Sequence, residues 1–250
     1  MSRVCNHDHV VPFRGVILGP HPSVVTTLMV GSVEELAVLT GVRSIRSKLK
    51  WAHLLSILRD AASGVSHLHL SQVIHRDLSA RNFLIDDRGN VRVSDFGFAK
   101  TRENNVSRGF TNSNVGPIKW MSPESLLSRQ FNEKSDVFAF AVFAWELMSG
   151  EMPWADIDVV QVIVRVCERG ARLPRPATCP NEMWDLIQGM WRAEPSERPD
   201  MQAVLKCLEK WAAAYEESPT LGDLIRTYLP PVNGGYSNAT KKEPGDYDHW

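Results

Sequence analysis

Asp77, Arg81, Asn82 and Asp95 are the residues of this 250-residue chain whose types and spacing could do chemistry. Three of them share one block, His75-Arg76-Asp77-Leu78-Ser79-Ala80-Arg81-Asn82, and thirteen residues after Asn82 comes Asp95-Phe96-Gly97. Two carboxylates and a carboxamide are oxygen donors of the kind that hold hard divalent cations, and a guanidinium recognises anions. Taken singly, an Asp on a loop is more often a turn or cap residue than a catalyst, by about three to one. The order of the blocks reverses that prior. A third one, Gly116-Pro117-Ile118-Lys119-Trp120-Met121-Ser122-Pro123-Glu124, comes next, and Glu197-Arg198-Pro199 lies further on.

These residues need elements to hold them. From Trp51 to Leu70, Leu54, Leu58, Ala61, Val65 and Leu68 recur at three- and four-residue steps, which predicts a long amphipathic helix just ahead of the His75 block. Val91-Arg92-Val93-Ser94 supplies a short strand leading into Asp95. Val10 to Leu18 and Val24 to Val30 are β-branched runs split by Gly19-Pro20-His21-Pro22, a strand, turn, strand pattern. Ser135-Asp136 opens an almost wholly apolar segment to Met148, closed by Ser149-Gly150, and a helix apolar all round belongs at the centre of a domain. Residues 158–169, 181–192 and 200–214 carry further helical stripes, with Asn181 and Asp200 as expected N-caps. From about Ser218 the composition turns to Pro, Gly, Asn, Asp and Lys, so residues 215–250 read as a polar, flexible tail.

Composition removes whole classes of function. The 28 Lys and Arg against 29 Asp and Glu leave a net charge of −1, so no basic field exists to hold nucleic acid or an anionic membrane. The longest uncharged apolar stretch runs only from Val137 to Trp145, far short of the roughly 20 residues needed to cross a bilayer. Cys5, Cys167, Cys179 and Cys207 show no Cys-x-x-Cys spacing, and the first residues lack a secretory pattern. A reducing, cytoplasmic setting is expected.

The ordered blocks resemble the catalytic lobe of eukaryotic protein kinases over about residues 5–212, in the tyrosine-kinase and tyrosine-kinase-like group. His75–Asn82 fills every fixed position of that family's catalytic-loop pattern, and a chance match has odds of about one in 10⁴. The resemblance implies an α+β, protein-kinase-like fold, mainly a helical C-lobe with a two-strand remnant of the N-lobe sheet. It implies ATP and Mg²⁺ as cofactors and transfer of the γ-phosphate to Ser/Thr or Tyr hydroxyls of proteins. Asp77 takes the place of the catalytic base, Arg81 lies near the transferred phosphate, and Asn82 and Asp95 stand as the metal ligands. Thr26 stands as gatekeeper, the backbone of Thr27 and Met29 faces adenine, and Leu84 floors the base. His75 and Phe96 are expected to pack, Glu124 and Arg198 to form a buried ion pair, and Asp136 to accept from the catalytic-loop backbone.

Other features are implied more coarsely. Residues 1–31 correspond to the N-lobe remnant and hinge, 32–214 to the C-lobe and 215–250 to the tail. The Gly-rich loop, the strand Lys and its partner Glu find no counterpart in the sequence. A kinase-like scaffold that binds proteins without turnover is therefore the competing expectation, with the apolar strand edge as the place for a protein substrate or partner. No nucleic acid beyond ATP and no membrane is expected as a partner. Thr101, Ser107, Thr111 and Ser113 are candidate phosphorylation sites that would pair with Arg76, and Arg43, Arg46, Lys48 and Lys50 read as a solvated basic loop.

Overall fold

The computed structural model describes residues 4, 6–19, 22–38, 44–95, 100–101, 118–215 and 219–229, with only the backbone of 100–101. Phe96, Thr111, Ser107, Ser113 and the side chain of Thr101 lie outside that description, as do Arg43 and the chain beyond 229.

The chain opens with a hairpin of β1 (Phe13–Ile17) and β2 (Ser23–Thr26). The first apolar run does not form one strand throughout. Val10 instead makes a parallel bridge to Val93, and Val11 N–H donates to the Val93 carbonyl, so the chain is fastened to the body before the hairpin departs. The second run also ends early, at Thr26. The next strand, β3 (Gly31–Ser32), belongs to a different sheet.

A π-helical turn at Glu34–Val38 precedes α1 (Trp51–Leu70), and β4 (Val73–Ile74) follows it. The catalytic-loop block lies between β4 and β5 (Phe83–Ile85), and β6 (Val91–Val93) leads into Asp95. Strands β3, β5 and β6 form one antiparallel sheet in that order, while β4 pairs with β7 (Lys100–Thr101). Among the described residues, no strand follows β7.

The helical body comprises α2 (Pro123–Ser128), α3 (Glu133–Ser149), α4 (Val159–Cys167), α5 (Asn181–Met190) and α6 (Met201–Ala212). Every residue from Ser135 to Met148 on α3 is buried, and Phe140 and Phe143 pack on Phe83. The α+β architecture thus places the apolar helix directly under the loop that carries the site. Helix α3 begins two residues before Ser135, capped by Asn132, whose Oδ1 accepts from Ser135 N–H at 2.9 Å. Asn181 is not the N-cap of α5: Pro180 holds that position, and Asn181 Oδ1 accepts from Arg175 at 2.6 Å instead. Asp200 does cap α6, accepting from Ala203 N–H at 2.7 Å.

Two close approaches fasten the periphery. On α1, a Cβ at Gly64 would stand 2.3 Å from the His9 carbonyl, so only glycine lets the entering chain lie on the helix. The other corrects the expected flexible tail. Residues 219–229 form a docked helix, α7 (Leu221–Tyr228), with Leu221, Leu224, Ile225 and Leu229 buried. Its Gly222 would place a Cβ 2.3 Å from the Arg88 carbonyl in the β5–β6 turn. Burying four apolar side chains at helical spacing outweighs the polar composition around them.

Arg46 is likewise not part of a solvated loop. Its guanidinium donates to the Leu147 carbonyl and, at 2.9 Å, to that of Met148, supplying a cation to the C-terminal end of α3.

Candidate active site

Asp136, at the first turn of α3, sets the position of the loop. Its Oδ2 accepts from His75 N–H at 2.8 Å and its Oδ1 from Arg76 N–H at 2.9 Å, and His69 Nε2 lies 3.0 Å from Oδ2. These bonds hold Arg76 in the left-handed region, at φ 71°, a conformation that a bulky residue keeps only under constraint. His75 is fully buried. Its Nε2 donates to the Ser94 carbonyl at 2.7 Å while its Nδ1 accepts from Asp77 N–H at 3.3 Å, so the ring packs and braces.

Asp77, Asn82 and Asp95 are tied together through short links. Asn82 Nδ2 donates to the Asp77 carbonyl at 2.7 Å, which fixes the amide plane. The Asn82 carbonyl in turn accepts both from Ser94 N–H at 2.8 Å and from Ser94 Oγ–H at 2.9 Å. Asp95 is the next residue, exposed and in the left-handed region at φ 55°, which Asp tolerates better than most side chains. Arg81 Nη2 donates to Asp77 Oδ1 at 2.8 Å. The Asn82 carboxamide, at the end of the short helical turn before β5, and the Asp95 carboxylate, just after β6, are hard oxygen donors of a kind that would suit Mg²⁺.

The residues expected to face the base are divided between two sheets: Thr26 ends β2 of the hairpin, and Leu84 lies on β5 of the three-stranded sheet. Val30 N–H donates to the Ile85 carbonyl at 2.8 Å, and Ser32 lies opposite Leu84, so the chain just after Met29 pairs with the strand that carries Leu84. Phe83 and Ile85 are buried and Leu84, between them, turns its side chain to the other face of β5. Thr27 N–H is taken by the Pro12 carbonyl at 3.1 Å, and Thr27 Oγ1 accepts from Arg14 Nε at 2.9 Å. Thr26 stands on the exposed β2, opposite Phe13.

Glu124 and Arg198 form a two-pronged pair, with Nη1 to Oε1 at 2.7 Å and Nη2 to Oε2 at 3.0 Å. Burial alone would raise the Glu124 carboxyl, but the bonds from Arg198 and its neighbours bring it below the ordinary value.

Sequence reasoning missed Glu146 and Trp120. Glu146 Oε2 accepts from Ala80 N–H at 3.0 Å and from Trp120 Nε1–H at 3.1 Å, and the Arg81 guanidinium carbon stands 5.1 Å from the Trp120 ring centre. A signal existed: Glu146 interrupts an otherwise apolar buried segment, and a buried carboxyl needs partners.

The family model for protein tyrosine and serine/threonine kinases matches residues 1–208. The chain is 33% identical over 201 residues to the tyrosine-protein kinase transforming protein Fps of Fujinami sarcoma virus, covering 80% of this chain and 23% of that protein. It is 30% identical over 243 residues to the serine/threonine-protein kinase STY46 of Arabidopsis thaliana, covering 97% of this chain and 40% of the relative. A mitogen-activated protein kinase kinase kinase, 13-B of Xenopus laevis, is 31% identical over 211 residues, 84% of this chain and 21% of its own length. The chain therefore spans well under half the length of these relatives.

Proposed function

The chain belongs to the protein tyrosine and serine/threonine kinase family, and from that premise we propose that it transfers the γ-phosphate of ATP to hydroxyls of proteins. The observation that carries this reading is the linkage of Asp77, Asn82 and Asp95 through Asn82, whose amide holds the Asp77 carbonyl and whose carbonyl holds Ser94. Such transfer asks the protein mainly to position groups and neutralise charge, and a site built as one linked unit does both.

Asp77 orients the acceptor hydroxyl and receives its proton as the hydroxyl oxygen bonds to the γ-phosphorus and the bond to the β-phosphate oxygen breaks. Arg81 faces the charge that accumulates on the transferred group. Asn82 and Asp95 would hold Mg²⁺, which when bound would neutralise phosphate charge. The Thr27 carbonyl and the backbone of Met29 take the adenine edge, and Leu84 lies beneath the base; Thr26, expected as gatekeeper, is instead exposed on the hairpin strand β2. Because Thr27 N–H is committed to Pro12, only its carbonyl remains for the base. Arg76, whose buried Nε has no partner among the described residues, is the group to receive a phosphorylated Thr101, Ser107, Thr111 or Ser113. Ser and Thr are the favoured acceptors, as in the tyrosine-kinase-like group.

The test is transfer of labelled γ-phosphate by the full chain to a mixed Ser-, Thr- and Tyr-containing peptide pool. Transfer is expected, with Asp77→Asn lowering it by about 10³-fold at unchanged ATP affinity. Wild-type chain that transfers nothing, or a variant as active as wild type, overturns the reading.

A second reading has one observation in its favour. Val16 (49% exposed) and Val24 (60%), directly opposite one another, give one face of the hairpin an exposed apolar pair, as in a module that works by binding proteins. Such a module keeps its partners in Asp77→Asn and Asp95→Ala.

A further inference from the structure

We propose that His7 is a proton-sensitive latch that fastens the entering chain, residues 7–11, to α1 and β6, and that acid opens it. The segment grips the body through bonds that gather at its histidines. Val10 N–H donates to the His7 carbonyl at 3.1 Å, Val93 N–H to the His9 carbonyl at 3.0 Å and Val11 N–H to the Val93 carbonyl at 3.0 Å. His9 N–H donates to His7 Nδ1 at 3.1 Å, and His9 Nδ1–H reaches the Val91 carbonyl at 2.9 Å. From α1, the His67 ring stacks on that of His7, with centres 4.4 Å apart and planes inclined by 15°, and its Nε2 donates to the Val4 carbonyl at 3.1 Å. Since β5 covers the other side of β6, release of the segment frees the outer edge of the strand that leads into Asp95.

One fixed donor makes the latch sensitive. A backbone N–H can only donate, so His7 Nδ1 must be unprotonated to receive that of His9. A second proton on the ring turns the acceptor into a donor and breaks the bond. It also sets a positive charge among groups that mostly repel it. Facing His7 are His67 from α1, Arg92 from β6, and His9 and Asp8 from its own segment. Of these Asp8 alone is anionic, and it is exposed, while the buried Asp60 of α1 lies 3.7 Å from His9 Nδ1 instead. Burial first, then His67 and His9, hold the His7 ring below its ordinary 6.5. In the opened segment the ring takes its proton at the ordinary value, so the closed form binds fewer protons than the open one. The latch is therefore fully effective above about 6.5 and weakens as pH falls below it.

The experiment follows amide hydrogen exchange of the full chain, corrected for intrinsic rates, between about pH 7.5 and about pH 5.5, alongside an NMR titration of the His7 ring. Exchange at Val10, Val11 and Val93 is expected to quicken by about three- to tenfold on acidification, while the amides of α5 keep their protection. His7→Asn supplies a side-chain oxygen that accepts the N–H two residues on and does not titrate, so it is expected to fold as wild type does and to abolish the acid response. His67→Phe keeps a ring against His7 and removes the second charge; it is expected to raise the pH at which His7 titrates, and it decides the question if the asparagine variant does not fold. Exchange at the three amides that ignores pH in the wild-type chain, or an acid response retained in His7→Asn, overturns the latch. So does a His7 titration unmoved by His67→Phe where the asparagine variant does not fold. An acid response in a chain that transfers no phosphate supports the latch and overturns the kinase reading alone.

Discussion

At the scale of single residues the site depends on a few buried charges that are each satisfied by named partners. Arg198 illustrates the cost of losing one. Its side chain is fully buried, its guanidinium pairs with Glu124, and it also donates to the carbonyls of Lys134, Arg192 and Ala193. Removing a single partner strands the other charge, so Glu124→Gln is expected to lower stability by about 3 kcal/mol, read as a fall in denaturation midpoint at unchanged slope. A midpoint equal to wild type contradicts the pair's structural role. Asp77 behaves differently, because its backbone is held by His75 and Asn82 independently of the carboxylate. Asp77→Asn is accordingly expected to melt as wild type does, while losing transfer. These residues are legible from sequence because their motifs have fixed spacing, whereas for Glu146 the sequence signals only a buried carboxyl in an apolar run, and its partner Ala80, 66 positions away, is not announced locally.

At the scale of elements, α3 is the part on which the site is built. It carries Asp136 under one end of the catalytic loop and Glu146 under the other, and it is closed by Asn132, Gly150 and Arg46. The apolar run that marks it is readable at once, as is the stripe of α1, since both periods extend over many residues. Short elements are less legible. Strands of two residues, such as β3 and β4, have no period to detect, and α7 is an eight-residue helix inside a stretch dominated by polar residues. Its Thr220–Asp223 capping box and the Leu221, Leu224, Ile225 spacing are present in the sequence, but the Pro, Gly, Asn and Lys residues on its C-terminal side mask them in the average composition.

A pH dependence belongs to α3 as well. The Glu146 carboxyl is raised from an ordinary 4.5 to about 8, so between those values the native state binds more protons than the unfolded chain. Its contribution to stability is complete below about 4.5 and is lost as pH rises through about 8. Denaturant titrations across that interval are expected to show a decline that Glu146→Gln flattens; parallel curves for the two proteins contradict it.

At the scale of the whole molecule, the body is fastened at its edges by close backbone approaches. Helix α7 lies against the β5–β6 turn at Gly222, with Arg226 donating to the Asp87 carbonyl and the Pro219 carbonyl meeting His53 of α1. The Lys48 ammonium lies 5.3 Å from the Tyr228 ring centre on the same face. Gly222→Ala forces a Cβ into the Arg88 carbonyl and is expected to cost about 1–3 kcal/mol, with faster amide exchange confined to residues around α7. Exchange unchanged there contradicts the docking. Under the proposed reading, the helical body, hinge and site act as one unit that holds a nucleotide and its cation. The most direct measurement of that claim is a calorimetric titration of the full chain with ATP, with and without Mg²⁺, repeated on Asp95→Ala. The account predicts that Mg²⁺ strengthens ATP binding to the wild-type chain and leaves Asp95→Ala unchanged; equal binding with and without Mg²⁺ in the wild-type chain would contradict it.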